Sequence, residues 1–341
     1  MTLIRQDLTF NVTMALPAGS AEPAMLSATI VADPEALPER PVVILAVPGG
    51  TYHRRYWDLQ PPGRDGYSKA AYLAERGIVF IATDYFGGGD SSRPADGDFI
   101  GLEVQADVAH EVYQQVRERI SDGTLIDGIP ALPGAVFAGI GQSLGGFITM
   151  IQQGKYADYP GIGIFGASPF VISGIRENPD WDAMSAGERR DWLLKANARQ
   201  SGLAELPMYH GAPREGFRHI FHVPDVPDDL VKYDEDECHT LIPRMSGIDG
   251  MTPGLARPFA ERVSQPVFLA FGATDVSADP HHEPAGYPAS SDITLVVIPE
   301  MAHMHNFADT RGQLWNRFYA WLAILARLPT WPIQNKDKYV N

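Results

Sequence analysis

A single cysteine, Cys238, occurs in the 341 residues, so no disulfide can close within the chain and nothing calls for an oxidising compartment. Basic residues are also in deficit: 27 Lys and Arg stand against 42 Asp and Glu, a formal net charge of -15. That excess repels phosphate backbones and anionic lipid surfaces, which argues against nucleic acid or a membrane as a partner. No apolar run approaches the roughly 20 residues that a membrane span needs. The first ten residues carry Arg5 and Asp7 and hold no long apolar core. This is not the pattern of a secretory leader, and the expectation is a cytoplasmic protein. Two chemical motifs are missing as well. His281-His282-Glu283 and His303-Met304-His305 lack the helical His-Glu-x-x-His spacing of a zinc hydrolase, so neither a metal nor another cofactor is expected. Gly87-Gly88-Gly89 lacks the lysine of a phosphate loop, which argues against nucleotide binding. Repeats and low-complexity tracts are absent.

What is present is an apolar fraction of 45%, enough for a sizeable core. The length accommodates one large α/β domain with an inserted subdomain, or two ordinary domains. Residues 3–14 and 24–32 read as an antiparallel hairpin at a sheet edge. Continuous apolar runs at 41–47, 78–83, 135–140, 161–166, 265–271 and 292–298 have the character of strands buried on both faces of a parallel sheet. Helical spacing marks 67–76, which stops at Gly77, then 99–120 and 313–328. From 168 to 264 the alternation of strand and helix stops. This segment holds Trp181, Trp192, Tyr209, Phe217, Phe221, many prolines and the acidic run Asp234-Glu235-Asp236-Glu237. Long irregular segments inside compact domains tend to cover sites, so a cap over 168–264 is expected on a core of 1–167 and 265–341. The acidic run is expected to be a solvated face.

The stretch Gly141-Gln142-Ser143-Leu144-Gly145 closes one apolar run and opens a helix. A serine at the apex of such a turn sits in strained backbone with its Oγ pushed above the sheet. Glycines two residues to either side remove the Cβ atoms that would collide as strand and helix close. The Leu144 N–H lies at the positive end of the new helix, facing the space before Ser143. This stretch resembles the nucleophile elbow of the α/β-hydrolase superfamily. The resemblance covers most of the core from about residue 41 onward and leaves out 168–264. Pro48-Gly49-Gly50-Thr51-Tyr52-His53 stands where the superfamily carries a His-Gly-x loop, with Pro48 in place of the histidine. Gly50-Thr51-Tyr52 followed by Tyr56-Trp57-Asp58 is similar to a subgroup of bacterial and fungal hydrolases. Trp57 is read as a core aromatic and His53 as a surface residue. Asp84 to Ser91 resembles the superfamily's Asp-x-x-Gly-x-Gly-x-Ser loop, whose role is structural, so neither Asp84 nor Asp90 is assigned to catalysis.

Ser143, Asp275 and His303 each follow a different apolar run, in the order nucleophile, acid, histidine. Parallel strands carry their following loops to one edge of the sheet, and this order is the one expected of α/β-hydrolases. Histidine titrates near 6.5 and can take a serine proton; a carboxylate on its far nitrogen fixes the tautomer and stabilises the imidazolium. His305 is the alternative base and Asp279 the alternative acid. An acid after the 161–166 run is disfavoured because no carboxylate precedes Glu177. The resemblance implies a mostly parallel sheet with helices on both faces and an acyl-enzyme hydrolase of carboxylic esters or lactones. Its oxyanion would be held by the Leu144 and Gly50 N–H groups, with Thr51 as the fallback donor. Serine at the apex counts against haloalkane dehalogenase and epoxide hydrolase chemistry, which uses aspartate there. Thioester, amide and C–C hydrolysis, acyl transfer and a non-catalytic receptor on the same fold stay open. The aromatic 168–264 segment suggests a small hydrophobic ester or lactone as substrate.

Overall fold

The computed structural model describes residues 3–18, 23–172, 183–196, 202–212, 214–224 and 226–327. Strands β1 (Ile4–Asn11) and β2 (Met25–Ala32) pair antiparallel as a hairpin at one edge of an eight-stranded sheet. The sheet continues through β3 (Val42–Val47), β4 (Ile78–Thr83), β5 (Val136–Gln142) and β6 (Ile162–Phe165). A separate two-residue ladder joins β7 (Tyr209–His210) to β8 (Ile242–Pro243). The last two strands of the main sheet are β9 (Val267–Gly272) and β10 (Ile293–Ile298), and the order is β1-β2-β4-β3-β5-β6-β9-β10. From β4 to β10 every neighbouring pair is parallel. This is the α/β-hydrolase fold expected from the sequence, and each apolar run became a strand.

The strands are continuous apolar runs because both faces of the sheet are covered. Val43, Leu45, Val79 and Ile81 point into one core with Val112 and Ile148 of the helices, while Ile44, Ala46, Phe80 and Ala82 point into the other with Phe165, Phe268 and Phe318. Helix α1 (Lys69–Ala74) is shorter than the 67–76 expected, because Ser68 takes the N-cap, its Oγ accepting from the Ala71 N–H at 2.8 Å. Helix α2 (Leu102–Asp122) ends at Gly123, whose φ of 77° only glycine adopts without strain. It packs against α3 (Leu144–Tyr156), the helix that follows the elbow. The closing helix, Arg311–Leu325, buries Leu314, Trp315, Phe318, Leu322 and Leu325 as its spacing predicts; the expected end at Leu328 lies outside the described residues. Among the described residues no helix is long and apolar enough to cross a membrane.

Among its described residues, the segment between β6 and β9 adds no strand to the main sheet. It carries helix α4 (Ala186–Ala196), the β7–β8 ladder and a helix at Arg244–Met251, and Trp181 lies outside the described residues. One expectation here is corrected. Glu235, Asp236 and Glu237 are partly or fully exposed, but Asp234 is completely buried. Residues Asp234–Cys238 form a π-helical turn that rotates Asp234 inward, where Tyr52 Oη at 2.7 Å and His222 Nε2 at 2.9 Å meet its carboxylate.

Candidate active site

The elbow is built as its residue types require. Ser143 stands between β5 and α3 at φ 52° and ψ -117°, a conformation that costs a non-glycine residue about 1–3 kcal/mol and persists only where its surroundings enforce it. Its N–H donates to the Phe165 carbonyl at 2.8 Å, and its carbonyl accepts from the Gly146 and Phe147 N–H groups. A Cβ on Gly141 would stand 2.0 Å from the Gly145 carbonyl oxygen, and one on Gly145 would stand 2.1 Å from the Val47 carbonyl oxygen. The two flanking glycines are therefore geometric necessities. Gly49 closes the site from the β3 side, where a Cβ would lie 3.3 Å from Ser143 Cβ. Leu144, the first residue of α3, has no intrahelical acceptor for its N–H. A Cβ on Gly50 would stand 3.7 Å from Leu144 Cβ, so the loop after β3 packs against the first residue of α3. Thr51, the fallback donor, has its N–H taken by Tyr85 Oη at 3.0 Å.

Both histidine candidates converge on one carboxylate. His303 Nδ1 is 2.6 Å from Asp275 Oδ1, and His305 Nε2 is 2.7 Å from Asp275 Oδ2. Backbone N–H groups of Gly272 and Val276 donate to the same two oxygens at 2.9 and 2.7 Å. Burial alone would raise the Asp275 pKa, but the two imidazoles and their hydrogen bonds hold it well below the ordinary carboxylate range. Only His303 reaches the elbow: Gln142 Nε2 lies 3.4 Å from His303 Nε2 and donates to the His303 carbonyl at 3.1 Å. A Cβ on Gly166, at the end of β6, would press on His303 Nδ1 at 2.9 Å and Asp275 Oδ1 at 3.1 Å. The ends of β5, β6, β9 and β10 thus bring Ser143, Asp275 and His303 to one edge of the sheet. Asp279, the alternative acid, is exposed and accepts from the His281 N–H.

Asp84 ties Arg54 to the loop after β4, accepting also from the Asp90 N–H at 2.9 Å. Its carboxylate accepts from the Arg54 N–H at 2.8 Å and from Arg54 Nη1 at 2.7 Å, and Arg54 also bonds Asp90 and Thr29. Trp57 is buried against Phe80 and Phe165. His53 is half-buried rather than on the surface, because its Nδ1 caps the short helix Arg54–Trp57 by accepting from the Arg55 N–H.

Four residues around the site escaped the sequence reading. Gln142 is inside the elbow motif, yet nothing in the motif says that it touches the histidine. Lys69 is buried, with its amine 3.6 Å from the Phe165 ring centre and near Phe318 and Trp57; burial pushes its pKa well down. A lysine among the alanines of α1 was the one available signal. Glu283 accepts from Ser277 Oγ on the Asp275 loop, and burial raises its pKa to about 7. Arg214, buried in the segment between β6 and β9, bonds the Thr51 side chain and carbonyl.

A strained serine between strand and helix, with a carboxylate and an imidazole supplied by the loops after later parallel strands, defines an α/β-hydrolase architecture. The chain belongs to the alpha/beta hydrolase family, whose family model matches residues 43–315. Several solved structures share the fold. A bromoperoxidase from Bacillus anthracis is 15% identical, with a TM-score of 0.60 over 94% of this chain and 99% of that one. A thermophilic esterase from Thermogutta terrifontis is 16% identical, with a TM-score of 0.55 over 94% and 99%. The thioesterase domain from the curacin biosynthetic pathway is 13% identical, with a TM-score of 0.57 over 94% and 100%. Identities this low carry the fold and not the substrate. No curated protein matches the chain.

Proposed function

We propose that the protein is a serine hydrolase of small, hydrophobic carboxylic esters or lactones that works through an acyl-enzyme. Ser143 Oγ attacks the carbonyl carbon while His303 Nε2 takes its proton, and the carbonyl oxygen becomes an oxyanion beside the Leu144 and Gly50 N–H groups. As the tetrahedral intermediate collapses, His303 returns the proton to the leaving oxygen. Water then repeats the sequence on the acyl-enzyme, releasing the acid and restoring Ser143. Asp275 keeps the Nδ1–H tautomer of His303, so that Nε2 is the free base. The observation that carries this reading is the Asp275–His303 pair, 2.6 Å apart, with the other ring nitrogen beside Gln142 at the base of the strained serine. Residues 168–264 act in it as a cap over the pocket, supported by the packing of Phe221 against His303 with ring centres 5.7 Å apart. Ile242 of the same segment, whose Cδ1 lies 3.1 Å from the Cβ position of Gly50, gives the pocket an apolar wall. The reading also assigns the protein to the cytoplasm, supported by its single, buried and unpaired cysteine, Cys238.

The test is turnover of p-nitrophenyl acyl esters and of lactones of graded size by the purified protein. Steady hydrolysis that Ser143→Ala abolishes and chelators leave intact is the expected result. Binding of these compounds without turnover would make the protein a receptor on the hydrolase fold, and chelator sensitivity would make it a metal enzyme.

A further inference from the structure

We propose that Arg214 is a positioning residue for the oxyanion hole: it reaches out of the 168–264 segment and clamps the loop that carries the Gly50 N–H. The inference rests on the hydrolytic function proposed above. It begins with Thr51, the residue after Gly50, whose φ is 63°. A β-branched side chain in this region is an outlier, because its Cβ crowds the backbone. Such a conformation is kept only where neighbours over-determine it.

Such neighbours surround Thr51. Arg214 Nη1 donates to Thr51 Oγ1 at 2.8 Å and Arg214 Nη2 donates to the Thr51 carbonyl at 2.9 Å. The Thr240 N–H donates to the same carbonyl at 2.9 Å. The Thr51 N–H is held by Tyr85 Oη, which in turn donates to the Leu241 carbonyl at 3.1 Å. Every polar group of Thr51 is therefore engaged, and apart from Tyr85 the partners come from between β6 and β9. The fork of a guanidinium suits this task, since two parallel donors fix a plane as well as a distance.

Arg214 is itself locked. It is 2% exposed, its guanidinium carbon lies 3.9 Å from the Tyr52 ring centre, and its Nε is 3.7 Å from Asp234 Oδ2. Tyr52 Oη and His222 Nε2 also bond that carboxylate oxygen. The buried Asp234 therefore holds the arginine and the residue after Thr51 together. Without the clamp, Thr51 relaxes toward negative φ, which turns the Gly50–Thr51 peptide and reorients Gly50 through it. The Gly50 N–H then leaves the position facing the oxyanion, whose stabilisation depends steeply on donor placement; one lost donor costs about 10²–10³ in kcat.

The experiment uses the full chain and a p-nitrophenyl ester that the wild type turns over. It compares the wild type with Arg214→Met, Arg214→Lys and Thr51→Val. The inhibitors are a trifluoromethyl ketone, which adds to a serine hydroxyl to form a tetrahedral oxyanion, and the matching methyl ketone, which binds without addition. The expected result for Arg214→Met is a fall in kcat of about 10- to 100-fold, a fraction of the loss of a whole donor. KM should stay within about threefold, trifluoromethyl ketone affinity should fall in step with kcat, and methyl ketone affinity should hold. Arg214→Lys, with one donor direction left, should fall between. A merely structural arginine would not separate the two ketones. Retained kcat and trifluoromethyl ketone affinity, or equal loss of both ketones, would overturn the clamp. If Arg214→Met does not fold, Thr51→Val decides: it removes only the Oγ1 acceptor, should lower kcat and trifluoromethyl ketone affinity together, and overturns the clamp if both stay at wild-type values. A wild type that neither turns over esters nor forms the adduct would bring down the hydrolytic function and the clamp with it. Normal wild-type turnover with insensitive variants removes the clamp alone.

Discussion

The two imidazoles on Asp275 look equivalent by distance and are not equivalent by chemistry. His303 spends Nδ1 on the carboxylate, which leaves Nε2 at Gln142 beside Ser143. His305 spends Nε2 there and points Nδ1 into buried space with no partner. In the proposed mechanism the proton of Ser143 passes to the nitrogen nearer the elbow, so His303 is assigned the base and His305 the support of Asp275. His303→Ala should therefore lower kcat by about 10⁶, the cost of removing the histidine of a Ser-His-Asp triad. His305→Ala removes one of four donors to Asp275. A hydrogen bond to a charged group is worth about 1.5–3 kcal/mol, which puts this second loss at about 10- to 100-fold. Ester-hydrolysis kinetics on both variants, with thermal melting to show that each is folded, checks the order. A larger loss in His305→Ala would assign the base to the other ring.

At the scale of elements, the elbow succeeds because a strand and a helix approach to backbone contact. Gly145→Ala would bring a Cβ to 2.1 Å of the Val47 carbonyl oxygen, a backbone atom held by the β3–β5 pairing. Neither side can yield without breaking the sheet, so the variant should lose about 3 kcal/mol or more in urea unfolding. Gly312→Ala, in the first turn of the closing helix with nothing within 4 Å, should be neutral or stabilising by about 0.5–1 kcal/mol. Equal stabilities for the two would refute the steric account. The elements themselves were legible because both faces of the sheet are covered: six apolar runs could be nothing but buried strands. Ser143 was legible for a related reason, since its motif encodes a local clash that only glycines relieve. The choice between His303 and His305 was not, because two residues of separation decide which nitrogen faces the elbow and the sequence carries no register for a loop. Asp234 was misread for want of any local sign. Four acids in a row look like a surface, while the groups that bury one of them, Tyr52, His222 and Arg214, come from other parts of the chain.

At the scale of the whole molecule, two cores on opposite faces of one sheet must offset the backbone ordering of a long chain, and net stability is of the order of 5–15 kcal/mol. One buried acid is therefore a visible fraction of it. Glu283 is 3% exposed and accepts from Ser277 Oγ. Burial raises its pKa from 4.5 to about 7. A carboxyl raised in the folded state binds its proton more tightly there than in the unfolded chain. It therefore stabilises the fold fully below about pH 4.5, and that contribution is lost as pH rises through about 7. The difference amounts to something on the order of 3 kcal/mol. Glu283→Gln keeps the shape and cannot ionise, so this part of the pH dependence should vanish in the variant. His53 and His305, whose pKa values burial lowers, act in the opposite sense but are present in both proteins and cancel in the comparison. Urea unfolding of wild type and Glu283→Gln from pH 5 to pH 8 should show the wild type losing stability relative to the variant as pH rises. Parallel curves would mean that Glu283 is already ionised in the folded protein.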